Sequence, residues 1–432
     1  MKNRLYSLLL TSILIFSSTT IISSSNIESP PLPIITNEEN IIEMIQQINE
    51  DLVFYYHDNL MSYGSRYTST INCTLAGQYI YHEFEEMGLD ASFHEWQYDG
   101  FYSRNIVGTL HGSDPTSNAI FIFSAHYDCT PGSLGADDDG SGVAAVLATA
   151  KILSQYSFNH TIRFIAFSGE EVGTYGSFTY ARDAYNKGDN IVAVINADMI
   201  GYADTEEGGR ILRFHCPQRS EWISDYSITV AEKYMDVIDL AVEKRPNYVG
   251  ADHQAFIDYG YDGVWIAHHD GYPWANSPED TPDHLNWTYQ TKATKLLLAI
   301  MAEIAIKPID VQVVLTNPYE GYGYFFNRPV VSLALGRQWY KGMRGMTTIF
   351  GRADAGAKVY TDEEIEYVVF CIDDNFMYFD SEPPYEWKIQ GKHYPPIGKI
   401  NLKVYAYTTS GKFATDEMDI RILTLSCQYG RW

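Results

Sequence analysis

Histidine and acidic side chains recur in four groups in the middle of the chain. The groups are His126-Tyr127-Asp128, Asp137-Asp138-Asp139, Glu170-Glu171 and Asn196-Ala197-Asp198. One imidazole together with several carboxylates is a ligand set for Zn²⁺ or a similar divalent ion, and it contains too many carboxylates for a structural zinc site. The residue types therefore predict a metal centre that does chemistry.

The surrounding apolar pattern predicts that these groups lie at one edge of a sheet. Short apolar stretches at 119–123, 162–167, 191–195 and 263–267 predict buried strands, and apolar residues at helical spacing predict helices between them. This alternation predicts an α/β fold with a mostly parallel sheet that is covered by helices on both faces. Ligands of such sheets bind outside the carboxyl ends of the strands, so we expect the four groups to converge there.

Each group taken alone also has a structural interpretation. Glu170-Glu171 is typical of a solvated helix start, where carboxylates suit the helix dipole. The three aspartates before Gly140 are compatible with a turn or a calcium loop, although their spacing is not that of an EF-hand. Asp198 at a strand end is compatible with a simple cap. The ordered combination, with each group after a strand or at a helix start, favours the metal centre.

The two ends of the chain predict separate segments. Residues 1–25 combine Lys2 and Arg4, a short apolar run and small residues, which predicts a secretory signal peptide and a secreted, extracellular protein. The apolar run is shorter than the roughly 20 residues of a membrane-spanning helix, and an uncleaved N-terminal anchor is the open alternative. Residues 26–36 contain three prolines and predict a linker, and residues 37–307 form the predicted α/β domain.

Residues 308–432 predict an all-β domain. Alternating apolar residues at 365–371, 400–406 and 418–422, without helical spacing between them, predict a small β-sandwich. The region 381–407 resembles bacterial immunoglobulin-like repeats, which implies an accessory domain. Its tyrosines and tryptophans are candidates for contact with a cell surface or polysaccharide, and a core position is the alternative for them.

The overall charge excludes some classes of partner. Thirty Lys and Arg against 55 Asp and Glu give a formal net charge of −25. Binding phosphate backbones or an anionic membrane surface requires clustered basic residues, so we expect neither nucleic acid nor membrane binding. Six acidic residues are candidates for the site, which is few beside 55, so most of the surplus charge belongs to the surface. They are Asp128, Asp138, Glu170, Glu171, Asp198 and Asp252.

The motifs together resemble the M28 family of zinc-dependent exopeptidases, which includes secreted bacterial aminopeptidases, over roughly residues 40–306. The resemblance implies two Zn²⁺ ions and a role for each matching residue. His126 and Asp198 would bind one ion, Asp138 would bridge both, and Glu171 would bind the second. Glu170 would be the general base, and Asp128 would orient His126. The segment 251–256 is similar to the family's Ser-Asp-His segment, with Ala251 in place of the serine.

One position departs from the family pattern. The family's last metal ligand is a histidine four residues before an Asp-Thr pair, and Asp280-Thr281 places Asn276 there. An amide oxygen is a poor substitute for imidazole on zinc. His268 or His269 could replace it, and the alternatives are a weak second site, a different ion or no second ion. Packing at a strand end is the competing interpretation of both histidines.

The predicted function is that of a secreted zinc-dependent aminopeptidase, which removes N-terminal residues from peptide substrates. Metal-activated water would be the nucleophile, with Glu170 as the base. A one-metal glutaminyl cyclase-like acyltransferase is the second hypothesis. A non-catalytic, metal-stabilised binding protein is the third, and the presence of Glu170 argues against it.

Overall fold

The structure is a computed structural model that describes residues 38–115, 117–217, 220–246, 250–307, 311–319, 321–333, 347–361, 363–389 and 397–423. The predicted signal peptide at 1–25 and the predicted linker at 26–36 lie outside the described residues. Among the helices of the described ranges, none combines the length and apolar character needed to cross a membrane.

Nine α-helices occur in the described part of the chain. They are α1 Glu38–Gln47, α2 Glu50–Met61, α3 Ile71–Glu86, α4 Gly140–Leu153, α5 Tyr175–Lys187, α6 Glu221–Lys233, α7 Met235–Ile238, α8 His253–Asp258 and α9 Trp287–Ile306. The side chains of Asn49, Thr70 and Asp139 accept backbone N–H bonds at the starts of α2, α3 and α4. Short polar residues cap helices in this way. The apolar spacing of the sequence predicts that this helix starts at residue 143, and the cap at Asp139 explains why α4 begins three residues earlier.

Eight strands form the first sheet. They are β1 Asp90–Tyr98, β2 Phe101–Leu110, β3 Ala119–His126, β4 Thr161–Phe167, β5 Asn190–Ala197, β6 Ile211–Cys216, β7 Ala241–Pro246 and β8 Gly263–His268, in the spatial order β1-β2-β4-β3-β5-β8-β6-β7. The pairs β3–β4, β3–β5, β5–β8 and β6–β7 are parallel, and β1–β2, β2–β4 and β6–β8 are antiparallel. The sheet is therefore mixed: the prediction of a mostly parallel sheet holds for the central strands β4, β3, β5 and β8, whereas the pairs β1–β2, β2–β4 and β6–β8 are antiparallel.

Alternate side chains of the central strands enter two separate cores. Phe121 and Phe123 of β3 belong to one buried cluster with residues of α4 and α9, whereas Ile120 and Ile122 belong to another with residues of α5 and α8. Successive side chains of a strand point to opposite faces, so a strand covered on both faces is apolar throughout. This double burial holds the end of β3 in a fixed place.

The remaining strands form two further sheets. They are β9 Gln312–Asn317, β10 Tyr322–Phe325, β11 Arg328–Ser332, β12 Thr347–Phe350, β13 Asp354–Tyr360, β14 Ile365–Ile372, β15 Asn375–Asp380, β16 Tyr385–Lys388, β17 Ile397–Thr408 and β18 Phe413–Leu423. Seven of them have the order β11-β10-β12-β18-β17-β14-β15, and three have the order β16-β13-β9. Side chains of both sheets share one buried apolar cluster. The all-β character predicted for this region is present.

Candidate metal centre and active site

His126 stands at the centre of the predicted site, as the last residue of β3. Its side chain is 1% exposed, and its Nδ1 lies 3.1 Å from the backbone oxygen of Asp128. Its Nε2 lies 3.2 Å from Asp138 Oδ1 and 3.7 Å from Asp198 Oδ1. A hydrogen on Nδ1 directed at Asp128 would leave the Nε2 lone pair facing the two carboxylates, which is the arrangement of a metal-ligating histidine.

Asp139 connects three elements at this edge of the sheet. One of its carboxylate oxygens accepts the backbone N–H of His126 at 3.1 Å, and the other accepts those of Gly142 at 2.9 Å and Met199 at 3.2 Å. Both oxygens of Asp139 are therefore engaged in hydrogen bonds to the backbone, and these bonds fix the shape of the site. The neighbouring Asp138 carboxylate instead faces the imidazole, and this leaves Asp138 better placed to take a metal.

Asp128 joins His126 to the loop after β4. Its two carboxylate oxygens accept the backbone N–H groups of Glu170 at 3.3 Å and Glu171 at 3.4 Å. The hydroxyl of Thr68 also donates to this carboxylate, at 2.5 Å. Asp128 is fully buried, and these bonds compensate for its lost hydration. The carboxylate therefore holds both glutamates at a fixed position relative to His126.

The carboxylates at this edge repel one another. Burial raises the pKa of Glu170 well above its usual range, and the nearby charge of Asp252 adds to the shift. Burial and the charge of Asp138 raise the pKa of Glu171 to about 8. Close like charges in a buried site disfavour the ionised forms, so the arrangement needs a positive charge to be stable at neutral pH.

The surroundings favour the charged form of His126, whereas they disfavour the charged forms of the carboxylates. Burial by itself lowers its pKa, but hydrogen bonding to Asp128, Asp138 and Asp198 raises that pKa well above 6.5. A bound cation would supply the positive charge that the protonated imidazole otherwise supplies.

The donor set fits a divalent metal. His126, Asp139 and Asp198 each present a ligand atom within 4.8 Å of the others, and all three are buried. Asp138 Oδ1 lies within the same space, against His126 Nε2. One imidazole and two carboxylates supply three protein ligands of types that bind Zn²⁺, the number that leaves a position open in a catalytic site. Among the described residues the buried Oε1 of Glu171 has no hydrogen-bond partner, and a nearby cation would compensate it.

Among the described residues, no hydrogen bond or ion pair joins Asn276, His268 or His269 to His126, Asp138 or Asp198. Asn276 is exposed with φ +57°, and among the described residues no hydrogen bond joins its side chain to the cluster. His268 Nε2 is 2.8 Å from Asp137 Oδ2, and His269 Nδ1 is 3.2 Å from Asp270 Oδ1. Both histidines are therefore paired with other acids, rather than directed at the His126 cluster.

Asp280 positions Asp137 and Asp138 of the site. In the sequence, it served only to align Asn276 with the last histidine ligand of the family pattern. Its oxygens accept the backbone N–H groups of Asp137 at 2.9 Å and Asp138 at 3.1 Å, and Tyr272 Oη donates to it at 2.7 Å. Burial raises the pKa of Asp280 to about 6. Asp280, the first residue of the Asp-Thr pair, therefore also orients Asp138.

Arg66 was not identified from the sequence. It is fully buried, and its guanidinium donates to the backbone oxygens of Tyr127 at 2.8 Å, Leu134 at 2.6 Å and Gly135 at 3.1 Å. Within the described ranges no carboxylate lies within 4.0 Å of this guanidinium. Arg66 thus holds the loop that carries Asp128, and no local pattern around it signals this burial.

The segment 251–256 lies at the start of α8. Asp252 and His253 are both fully buried. Burial lowers the pKa of His253 to about 3, and neither ring nitrogen has a hydrogen-bond partner among the described residues. Burial raises the pKa of Asp252 to about 7. Asp252 is one of the charges that Glu170 experiences, which places this segment beside the candidate base.

Asp270 fixes the loop at 204–208, which follows the Asp198 strand end. Its Oδ2 accepts the backbone N–H groups of Asp204 at 2.9 Å and Thr205 at 2.8 Å, and the hydroxyl of Thr205 donates to both oxygens. Burial would raise its pKa, but these backbone hydrogen bonds hold the pKa at about 2.

Asp270→Asn is expected to lower the free energy of unfolding at pH 7 by about 1 kcal/mol, because charge-assisted hydrogen bonds become neutral ones. The folded pKa lies below the unfolded value of about 3.9. The stabilisation is therefore present above pH 4 and is lost as the pH falls toward 2. Thermal midpoints of both proteins should converge as the pH falls from about 4 to about 2, and a gap that widens on acidification would contradict this role.

Comparison with known proteins identifies what this region is similar to. Residues 105–301 match the family model of peptidase family M28. Aminopeptidase YwaD of Bacillus subtilis is 30% identical over 212 residues, which cover 48% of this chain and 45% of that protein. A probable zinc metalloprotease of Pyrenophora tritici-repentis is 25% identical over 63% of this chain and 77% of that protein. The chain thus spans about half the length of the first relative.

Solved structures agree in fold. The LapA aminopeptidase of Legionella pneumophila aligns with a TM-score of 0.57 at 22% identity, over 65% of this chain and 78% of that one. The glutaminyl cyclase of Bacteroides thetaiotaomicron aligns with a TM-score of 0.52 at 22% identity, over 59% of this chain and 98% of that one. Residues 105–301 contain the whole His126 cluster, and the α/β region of this chain is therefore M28 zinc aminopeptidase-like in sequence and fold.

Proposed function

We propose that this chain is a metallo-aminopeptidase that hydrolyses the N-terminal residue from peptides. The observation that carries the proposal is the convergence of His126 Nε2 with the carboxylates of Asp138, at 3.2 Å, and Asp198, at 3.7 Å. The match of residues 105–301 to peptidase family M28 and the names of its relatives support it. We further propose that the protein is exported, on the basis of the N-terminal pattern, and that the C-terminal sheets form an immunoglobulin-like module.

His126, Asp138 and Asp198 would hold a zinc ion. A divalent ion in that place lowers the pKa of water and polarises the peptide carbonyl. Asp128 holds the His126 ring through Nδ1, so that Nε2 stays directed at the carboxylates. The Asp280 carboxylate accepts the backbone N–H of Asp138, and the Asp139 carboxylate accepts the backbone N–H of His126.

Glu170 would move the proton. Its backbone is fixed to Asp128, and its carboxylate experiences the charges of Asp252, Asp198 and Asp138. Glu170 would accept a proton from the attacking water and then donate it to the nitrogen of the leaving peptide. A cation beside Glu170 would counter the rise in its pKa and so favour the ionised carboxylate, which is the form that accepts a proton.

A glutaminyl cyclase-like acyltransferase is the second candidate, because the Bacteroides cyclase shares the fold. The retained His126 favours the peptidase. Incubating the protein with a peptide that begins with glutamine separates the two. Release of free glutamine supports the peptidase, and release of ammonia with a pyroglutamyl product supports the cyclase.

Metal removal tests the proposed function. We expect the purified protein to hydrolyse L-leucine p-nitroanilide, to lose this activity after dialysis against a chelator, and to recover it on addition of Zn²⁺. The N-acetylated substrate should not be cleaved. Chelation should also lower the thermal midpoint, since the ion stabilises only the folded state. No hydrolysis of any aminoacyl anilide with Zn²⁺ or Co²⁺ present would overturn the proposal.

A further inference from the structure

Beside Glu171, the described ranges contain no histidine that faces the space of a second zinc ion. Resting on the proposed function, we propose that this chain holds one firmly bound metal ion, on His126, Asp138 and Asp198. We propose further that the α-ammonium group of the substrate, and not a second ion, occupies the place that Glu171 faces.

The first reason is the position of Asn276. This residue stands where the M28 pattern has its last histidine ligand, and its side chain is exposed. Its backbone has φ +57°, a conformation that asparagine tolerates better than most residues. Among the described residues no hydrogen bond or ion pair connects the amide with Glu171 or Asp138. Within the described residues, no contact therefore orients the Asn276 amide toward the site.

The second reason is that the nearby histidines are already engaged. His268 is 7% exposed, its Nε2 is 2.8 Å from Asp137 Oδ2, and its ring contacts that of Tyr202 edge-on at 5.7 Å. His269 lies between Asp270, at 3.2 Å, and Glu243, at 4.0 Å. Moving His268 into the site would remove the imidazole partner of Asp137, a fully buried carboxylate, which is costly. Moving His269 would break its contacts with Asp270 and Glu243.

The third reason is the donor set that remains. Without a histidine, a second ion would have only the carboxylates of Asp138 and Glu171 from the described residues. Catalytic zinc sites take three protein ligands, usually with imidazole among them. Two carboxylates, one of which already faces the first ion, are too few to hold zinc firmly.

The charge of the site nevertheless calls for a cation. One divalent ion offsets two of the four carboxylates of Asp138, Asp198, Glu170 and Glu171. The Oε1 atom of Glu171 is buried and has no hydrogen-bond partner in the described part of the chain, while the backbone N–H of Glu171 is held by Asp128. An ammonium group carries a single charge and three donors, and it would form a charge-assisted hydrogen bond with that oxygen. The proposed substrates all begin with such a group.

Metal content tests the first half of this inference. Chelator-treated protein is loaded with excess Zn²⁺, passed through a desalting column and measured by mass spectrometry of the metal, and the binding stoichiometry is measured by calorimetry. We expect one zinc per chain in the wild type, in Asn276→Gly and in Glu171→Gln, and loss of that zinc in Asp198→Asn. Glycine suits the positive φ of position 276. Two zinc ions per wild-type chain, or loss of zinc in Glu171→Gln or Asn276→Gly, would overturn the inference.

Amine binding tests the second half without turnover. L-Leucinol carries the ammonium group and the side chain of a leucyl substrate but no bond to cleave. We expect zinc-loaded wild type to bind it and Glu171→Gln to bind it at least about tenfold more weakly, as the loss of one charge-assisted hydrogen bond implies. Equal affinity in the two proteins, or no binding to the wild type, would overturn the ammonium site.

The two levels of proposal fail separately. A protein that binds one zinc and L-leucinol but cleaves no aminoacyl anilide contradicts the proposed function and leaves the single-metal site standing. A protein that cleaves these substrates and carries two zinc ions contradicts only the inference.

Discussion

Glu170→Gln is expected to lower kcat for L-leucine p-nitroanilide by about 10²- to 10⁴-fold, the usual contribution of a positioned base. Glutamine keeps the size and polarity of the side chain but cannot accept a proton from water. Because Asp128 holds residue 170 through its backbone N–H, the substitution should leave the loop in place. KM should change little, and zinc content should stay at the wild-type value.

A matched control is available on the surface. Glu206 is 86% exposed and pairs with Arg210, four residues along the chain, so Glu206→Gln changes the same chemical group at an exposed position. It should leave kcat within about twofold, because surface substitutions of this kind have small effects. If Glu170→Gln retained the wild-type kcat, Glu170 would not be the base and the mechanism proposed here would be wrong.

The strands that carry the site were predictable because their signal is local. β3, β4, β5 and β8 are buried on both faces, so each is an apolar stretch bounded by polar residues. The edge strand β1, its neighbour β2 and the antiparallel strand β6 gave no such stretch. β1, for example, has the sequence Asp-Ala-Ser-Phe-His-Glu-Trp-Gln-Tyr, and only Trp96 is buried in it. This partial exposure is why the sequence predicted a more parallel sheet than the structure has.

The candidate site was predictable to the same extent. Residues that directly follow a buried strand, such as His126 and Asp198, can be placed at the sheet edge from the sequence. Asp139 could also have been recognised, since an aspartate before Gly-Ser-Gly is a helix cap. The bonds from Asp280 to the backbone of 137 and 138 connect residues more than 140 positions apart. No local pattern encodes such a contact, and the same is true of Arg66.

Arg66→Met is expected to destabilise the protein by about 3–5 kcal/mol, which is typical when a buried charged network loses its centre. The guanidinium donates to the backbone oxygens of Tyr127, Leu134 and Gly135. Methionine fills much of the volume but leaves these three buried acceptors unpaired, each at about 1–3 kcal/mol. The midpoint of urea unfolding should fall accordingly. Arg66→Lys should recover only part of the loss, because a single ammonium cannot reproduce the planar fork of donors.

The effect should extend from stability to metal binding. The loop held by Arg66 carries Asp128 and leads into Asp137 and Asp138, so its loosening should weaken zinc binding in the fraction that still folds. Arg210→Met is the control: Arg210 is 65% exposed, and its loss should change stability by less than about 0.5 kcal/mol. Equal stability of Arg66→Met and Arg210→Met would contradict the role assigned to Arg66. A destabilised Arg66→Met with unchanged zinc affinity would show instead that the metal ligands keep their arrangement without this loop, and that the carboxylate bonds of Asp139 and Asp280 suffice to hold them.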